Sequence, residues 1–196
     1  IIESRKQEAK ATYEGSRGYQ PMLAVWAETG LILSDEFRDG NVPAMMSPLS
    51  GAKAAFGALP KTVETFYYRG DSASHEHELM DWLRNPERDG GPKGGIGFAI
   101  SARMSVELQK AVAGVADDQW QTIKEESDAT RSCAEVAFVP GEHSEKKDSQ
   151  PLRYIAIRIE KKQGHLYDDG SRVRHFAVVT NIEEWTAAKL IQWHRE

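Results

Sequence analysis

The sequence predicts an α/β fold in which a mixed sheet is flanked by helices and followed by an all-β section. Strand-like and helix-like segments alternate through the first half of the chain, whereas the second half contains successive strand-like segments. Hydrophobic residues make up 40% of the 196 residues and charged residues 28%, a balance typical of globular proteins. This length fits one domain, or one domain with a subdomain.

The first elements are a hairpin and a helix. Segments 19–27 and 31–37 are rich in β-forming residues and are joined by a short connection that contains Gly30, which predicts a β-hairpin. Apolar residues recur at helical spacing over 49–59, and Pro60 ends that predicted helix.

A strand, a helix, a second strand and a second helix are expected next. Segment 63–68 is rich in β-formers, and the apolar stripe of 74–84 predicts an amphipathic helix. A polar, glycine-rich loop over 84–95 leads to a short buried strand at 96–100 and a helix near 105–115.

The character of the chain changes from residue 117 onward. Segments 133–139, 152–160 and 173–180 alternate like strands, and the linkers between them are charged. A final helix is predicted from Asn181, which fits a capping box with Glu184.

Charge and composition narrow the function classes. The formal net charge of −5 counts mildly against a whole protein whose affinity for nucleic acid comes from phosphate contacts, although catalytic carboxylates are themselves acidic. Cys133 is the sole cysteine, which fits a reducing cytoplasm, and no apolar run approaches the roughly 20 residues of a membrane-spanning helix. Both ends of the chain look cut, because Ile1 lies in a strand-like stretch and the last helix has no stop signal.

Asp71 is the strongest candidate for chemistry. It follows Arg69 and Gly70 at the end of a predicted strand, just before a helix, and such strand ends commonly present ligands in α/β sheets. The alternative is that Asp71 or Ser72 only caps the next helix. His75 lies four residues after Asp71, within reach of it near the start of that helix.

Other candidate patterns are weaker. The glycine-rich loop lacks the spacing of a phosphate-binding loop. Cys133 lies in an alternating segment and is expected to be packed and unreactive. A loose cluster of basic residues lies in the second half of the chain. It fits either contact with phosphate or a solvated face of the sheet. Its members are Arg153, Arg158, Lys161 and Lys162.

Several stretches, read together, carry a family resemblance. These are GYQPMLAVWAETGLIL from Gly18, EFRDGN from Glu36, YYRGDS from Tyr67, HEHEL from His75 and FAVVTN from Phe176. In order and spacing they resemble the catalytic domain of insertion-sequence DDE transposases, in the group with a β insertion before the last catalytic residue.

The resemblance implies an RNase H-like fold with an inserted all-β subdomain. Residues 1–116 would then be the partial catalytic core, 117–180 the β insertion, and 181–196 the start of the C-terminal catalytic helix. Asp71 matches the second catalytic Asp. The first catalytic Asp and the catalytic Glu are expected outside this chain, and Glu196 does not fit the latter.

The implied activity is cleavage and joining of DNA with two Mg²⁺ or Mn²⁺ ions, of which Asp71 would bind at least one. The implied partners are the terminal repeats of a transposon and its target DNA. The full-length protein is expected to be a homodimer in the bacterial cytoplasm, bound at the nucleoid when it acts, and no membrane partner is expected. Five further residues are candidates for contacting DNA phosphate or orienting the metal ligands. They are Arg69, Ser72, His75, Asn41 and Asn181.

Two other classes of function remain open. One is a non-catalytic module that binds DNA or assists assembly, because two of the three expected carboxylates are absent from the chain. The other is a metal-dependent phosphohydrolase that uses Asp71, His75 and a distant carboxylate.

Overall fold

A computed structural model describes residues 1–141 and 151–195, and confirms the α/β class. Within those ranges no helix is long and apolar enough to cross a bilayer. The chain forms two compact units, residues 1–67 with 73–96 and residues 68–72 with 97–196. The strands of the described ranges are β1 (Ile2–Glu3), β2 (Lys10–Ala11), β3 (Arg17–Tyr19), β4 (Met22–Trp26), β5 (Leu31–Glu36), β6 (Phe66–Gly70), β7 (Ile96–Ser101), β8 (Gln121–Glu125), β9 (Ala129–Val136), β10 (Arg153–Lys161) and β11 (Val173–Thr180), and the helices are α1 (Pro48–Ala58), α2 (His77–Arg84), α3 (Val106–Ala113) and α4 (Ala187–Arg195).

The predicted hairpin is present in the first unit. Strands β4 and β5 pair antiparallel, with an irregularity between Ala24 and Val25. Helix α1 packs against this hairpin. A Cβ at Gly51 of α1 would lie 2.4 Å from Met22 Cε, so the glycine permits this close approach.

Glu76, and neither Asp71 nor Ser72, caps helix α2. The Glu76 carboxylate accepts hydrogen bonds from the backbone N–H groups of Glu78 and Leu79, both at 2.9 Å. These are N–H groups of the first helical turn, which have no partner within the helix. The interpretation of Asp71 or Ser72 as the cap of α2 is therefore wrong, and a short 3-10 turn, Ser72–Ser74, separates Asp71 from this helix.

A buried arginine organises the glycine-rich loop that follows α2. Arg88 is 1% exposed. Its guanidinium donates to the carbonyls of Trp82 and Leu83 in α2, at 2.9 and 2.8 Å, and to the carbonyl of Pro92 in the loop. Burial lowers the pKa of Arg88 from its ordinary value. No local pattern in the sequence predicts that one side chain joins the helix end to the loop.

The second unit is built on a six-stranded mixed sheet in the order β6–β7–β11–β10–β9–β8. The four pairs from β7 to β8 are antiparallel. Ile157 on β10 lies opposite both Phe176 on β11 and Cys133 on β9, so these three side chains share one face of the sheet. Strands β8 to β11 thus continue the same sheet as β6 and β7.

Helix α4 covers part of that face. Leu190 and Ile191 are buried against Ile155, Val178 and Cys133. Burial of such side chains contributes about 1.5–3 kcal/mol each relative to exposure. The packing fixes the C-terminal end of α4, which carries His194 and Arg195, against the sheet.

Helix α4 begins at Ala187, six residues later than the start predicted at Asn181. The Asn181 side chain is used elsewhere, because its Oδ1 accepts a hydrogen bond from the backbone N–H of Phe98 at 2.8 Å. Thr186 takes the capping position, where its Oγ1 accepts from the N–H of Lys189 at 3.2 Å.

The Cys133 thiol is expected to be protected in the folded protein. It is 1% exposed, and burial raises its pKa to about 11, so almost no thiolate forms at neutral pH. We expect no reaction with an aromatic disulfide reagent at neutral pH until denaturant is added, followed by one equivalent of release. Rapid reaction of the native protein would contradict this packing.

Candidate functional site

A groove of about 450 Å³ opens in the second unit beside the ends of β6 and β7. Asp71 and Ser72 follow β6, and the segment 101–104 ends β7 and continues beyond it. The floor is formed by side chains of β10 and β11, and the last turn of α4 closes one side. The lining residues are Asp71, Ser72, Ser101, Ala102, Arg103, Met104, Ile157, Phe176, Ala177, Val178, His194 and Arg195.

Asp71 lies exposed at this groove, at the end of its strand as the sequence predicted. Ser72 is also exposed and lines the groove. A solvent-accessible carboxylate at a strand end, beside an open cavity, is an arrangement suited to binding a cation or a polar substrate.

Two arginines line the groove together with this carboxylate. Arg103 and Arg195 are both exposed and both line the groove, and Arg103 Nε donates to the Ser72 carbonyl at 3.3 Å. Partial burial of the guanidinium, and then the nearby charge of Arg131, lowers the pKa of Arg195, while the Glu126 carboxylate acts in the opposite direction. The described groove residues therefore include two guanidinium groups and one carboxylate, which gives the groove lining a net positive charge.

Two hydrogen bonds join the end of β6 to the last turn of α4. His194 Nε2 lies 3.2 Å from the carbonyl oxygen of Gly70. Arg69, one residue earlier, donates from Nη1 to the carbonyl of Trp193, and its guanidinium carbon lies 5.3 Å from the Trp193 ring centroid. A cation at a helix C-terminus satisfies a carbonyl that has no partner within the helix.

The surroundings of His194 select its neutral form. Burial is the main cause that lowers its pKa, and the charges of Arg195 and Arg69 lower it further, while the contact with the Gly70 carbonyl acts in the opposite direction. Nδ1 is buried and has no hydrogen-bond partner in the part of the chain that the structure describes. Of the two neutral tautomers, the one protonated at Nε2 pairs its proton with the Gly70 carbonyl.

The predicted site residues do not all come together. Ser72 lines the groove with Asp71, whereas Arg69 and Asn181 make the structural contacts described above. His75 and Asn41 belong to the first unit, the former half-buried and the latter exposed. The roles predicted for these residues in contacting phosphate stay predictions.

The basic cluster of the β strands is neutralised by neighbouring carboxylates. Arg158 pairs with Asp117 at 3.0 Å and Lys162 with Glu125 at 3.0 Å, and each of the other two cations also has a carboxylate partner. Of the two interpretations of this cluster, the pairing favours a solvated sheet face over a phosphate-binding patch. The remaining pairs are Arg153 with Glu135 and Lys161 with Asp128.

The residues present do not by themselves form a metal site. No group of three or more His, Cys, Asp or Glu side chains in residues 1–141 and 151–195 is arranged to hold an ion. Asp71 is the only carboxylate among the groove residues that the structure describes. A site for two Mg²⁺ ions needs several oxygen ligands, so Asp71 can supply only part of it. The same finding counts against a hydrolase site made of Asp71, His75 and a distant carboxylate in these ranges.

Sequence reasoning missed Arg103, His194 and Arg195. Arg103 follows a predicted strand just as Asp71 does, so the rule that ligands gather at strand ends was a signal for it. His194 and Arg195 gave no such signal. Their place beside Asp71 depends on how α4 packs on the sheet, across 124 residues of sequence between His194 and Gly70.

Acid is expected to destabilise the second unit before its carboxylates titrate. The pKa values of His194 and His175 are lowered from 6.5, both mainly by burial. Below about pH 6.5 the unfolded chain therefore binds protons that the folded chain excludes, so stability falls as the pH falls. Urea unfolding at about pH 7.5 and about pH 5.5 measures this loss. His194→Gln cannot titrate and should show a smaller loss; an equal loss in both proteins would contradict the assignment.

Comparison with models of protein families finds none that matches this chain. Comparison with curated proteins likewise finds no match.

Proposed function

We propose that this chain is part of the catalytic domain of an insertion-sequence DDE transposase, and that its groove binds a DNA phosphodiester. The observation that carries the proposal is the exposed Asp71 carboxylate at the end of β6, set in a groove with two exposed guanidinium groups. The order and spacing of the family-like sequence stretches support the same class.

The charges of the groove suit a phosphate. Arginine binds phosphate oxygens through paired N–H donors, and Arg103 and Arg195 both line the groove. A DNA backbone across the groove would therefore place its phosphate beside Asp71.

The proposed role of Asp71 is that of one carboxylate ligand for Mg²⁺ or Mn²⁺. Two further carboxylates, an Asp and a Glu, are required from outside residues 1–196, as the resemblance implies. When bound, the ions would supply charge neutralisation and an activated hydroxyl for attack on the phosphodiester. This chain's own residues supply the exposed carboxylate, the guanidinium groups for the phosphate, and the fixed position of the strand end.

The remaining parts of the proposal follow the resemblance. The sheet and its helices would correspond to an RNase H-like core, with strands from 117–180 as its β insertion. The partners would be transposon ends and target DNA, bound by a homodimer in a bacterial cytoplasm. The four α-helices and the mixed six-stranded sheet support the coarser α/β part of this assignment.

DNA binding by the 196-residue chain tests the role of the groove. We expect Arg103→Gln/Arg195→Gln to weaken binding of a fluorescent duplex in anisotropy titrations at several salt concentrations. The slope of log affinity against log salt should become shallower by about 2, since two phosphate contacts are lost.

The matched control is Lys110→Gln/Lys124→Gln. It removes the same charge from the same unit at exposed positions outside the groove lining. The proposal requires the control to keep the wild-type slope. Equal losses in both double variants would show that only net charge matters, and would overturn the groove as the DNA site.

The second candidate is a DNA-binding module without catalysis. Its supporting observation is that the described groove contains a single carboxylate. Both candidates predict salt-dependent binding. Only the first predicts that the chain, joined to segments that carry the other two carboxylates, cleaves transposon ends in Mg²⁺.

A further inference from the structure

We infer that His194 is a positioning residue that holds the peptide between Gly70 and Asp71, and so sets the direction of the Asp71 carboxylate. The inference deepens the proposed function and rests on it for its catalytic consequence. Its structural part stands on the contact between α4 and the end of β6.

The contact is made at the peptide that precedes Asp71. The carbonyl oxygen of Gly70 lies 3.2 Å from His194 Nε2, within the range of a hydrogen bond. That carbonyl belongs to the same peptide plane as the Asp71 backbone N–H. Fixing its orientation therefore restricts the backbone of Asp71, from which the carboxylate projects.

In the tautomer with the proton on Nε2, His194 donates a hydrogen bond to the Gly70 carbonyl. Ser101 Oγ also lies near Nε2, at 3.5 Å. If Nε2 were unprotonated, its lone pair would face the Gly70 oxygen, and a buried N–H at Nδ1 would have no acceptor among the described residues. A buried donor without a partner costs about 1–3 kcal/mol, so the proton belongs on Nε2.

The neighbouring contact runs in the opposite direction. Arg69 of β6 donates to the Trp193 carbonyl of α4, while His194 of α4 donates to the Gly70 carbonyl of β6. Adjacent residues on each element thus exchange hydrogen bonds. Because Leu190 and Ile191 anchor α4 in the core, this pair of contacts ties the strand end to a rigid support.

Two variants distinguish a positioning role of His194 from simple packing. The side chain of His194→Leu fills similar space but cannot donate to the Gly70 carbonyl. The side chain of His194→Gln can place an amide N–H near the position of Nε2. The two variants therefore separate the hydrogen bond from the volume of the side chain.

The first measurement is by NMR on the 196-residue chain. We expect the imidazole nitrogens of His194 to show the tautomer with the proton on Nε2. In His194→Leu the backbone ¹⁵N resonance of Asp71 should shift, since this nitrogen shares the peptide of the Gly70 carbonyl, and in His194→Gln it should stay near its wild-type position. His165→Leu, which removes an exposed histidine from the same unit, is the control and should leave Asp71 unmoved.

The second measurement is cleavage by the chain joined to segments that carry the other two carboxylates. We expect His194→Leu to lower kcat roughly 10- to 100-fold with little change in DNA affinity, because a small displacement of a reacting group has an effect of this size. His194→Gln should restore most of the loss. A merely structural role predicts a loss of thermal stability without rescue of kcat by glutamine.

The outcomes separate the two proposals. An unmoved Asp71 resonance in a folded His194→Leu, or a proton on Nδ1, would overturn the positioning role whatever the activity. Wild-type cleavage that persists after removal of the Asp71 carboxylate would overturn the proposed function, while the NMR arm would still decide the contact. If His194→Leu does not fold, the tautomer in the wild type and the Asp71 resonance in His194→Gln decide the inference.

Discussion

Under the proposed transposase function, replacing Asp71 with asparagine is expected to lower Mg²⁺-dependent cleavage on the order of 1,000-fold, with the fold and the DNA affinity preserved. A loss of this size corresponds to about 4 kcal/mol of transition-state stabilisation. Asparagine keeps the shape of the side chain but removes the negative charge that a hard divalent cation requires. Asp71 is exposed, so the substitution leaves no cavity in the core.

The measurement is the rate of strand cleavage at a transposon end by the chain joined to the segments that carry the other carboxylates. Asp168→Asn is the control, because it removes an exposed carboxylate from the same unit at a position outside the groove lining. Anisotropy with the same duplex checks that binding survives. Cleavage by Asp71→Asn at the wild-type rate would show that this carboxylate takes no part in the reaction.

Arg88→Met is expected to lower the free energy of unfolding by about 3 kcal/mol. Three buried or half-buried carbonyls, those of Trp82, Leu83 and Pro92, would lose a charged donor. Hydrogen bonds to charged groups contribute about 1.5–3 kcal/mol each, and methionine recovers part of the loss by apolar packing. The stacking of the guanidinium on Trp82, at 5.4 Å from the ring centroid, is lost as well.

Urea unfolding followed by circular dichroism and tryptophan fluorescence measures the change. Lys93→Met is the control from the same loop, where the side chain is 67% exposed, and should change stability by no more than about 0.5 kcal/mol. Arg88→Lys should fall between the two, since a single ammonium cannot reproduce the planar fork of donors. An Arg88→Met protein as stable as the Lys93→Met protein would mean that the carbonyls find other donors.

The elements that could be predicted from the sequence are those whose signal is local. The β4–β5 hairpin follows from two β-rich segments and a glycine between them, and β11 falls where alternation predicted it. The predicted start of α4 at Asn181 was wrong because its deciding contact is not local. The Asn181 side chain has the right chemistry for a helix cap, but it pairs with Phe98, 83 residues away. No local pattern contains that competing partner.

The same distinction applies to the candidate site. Asp71 could be singled out because the sequence of strand, carboxylate and helix is contiguous. The alternative that Asp71 or Ser72 caps α2 could be excluded only from the structure, in which Glu76 occupies the N-cap position of α2. Arg195 and His194 reach the groove through the packing of Leu190 and Ile191, and packing across a sheet is not encoded in the spacing of neighbouring residues.

The two compact units cannot be separated by a single cut in the gene. The chain passes between them at residues 67–68, 72–73 and 96–97, so each unit is assembled from two pieces of sequence. Any deletion that removes residues 1–96 to isolate the second unit also removes the short piece 68–72, and with it Asp71. Deletion mapping would therefore assign the effect of losing Asp71 to residues 1–96, although Asp71 belongs to the second unit. Point substitutions such as those above are the appropriate tools for dissecting this chain.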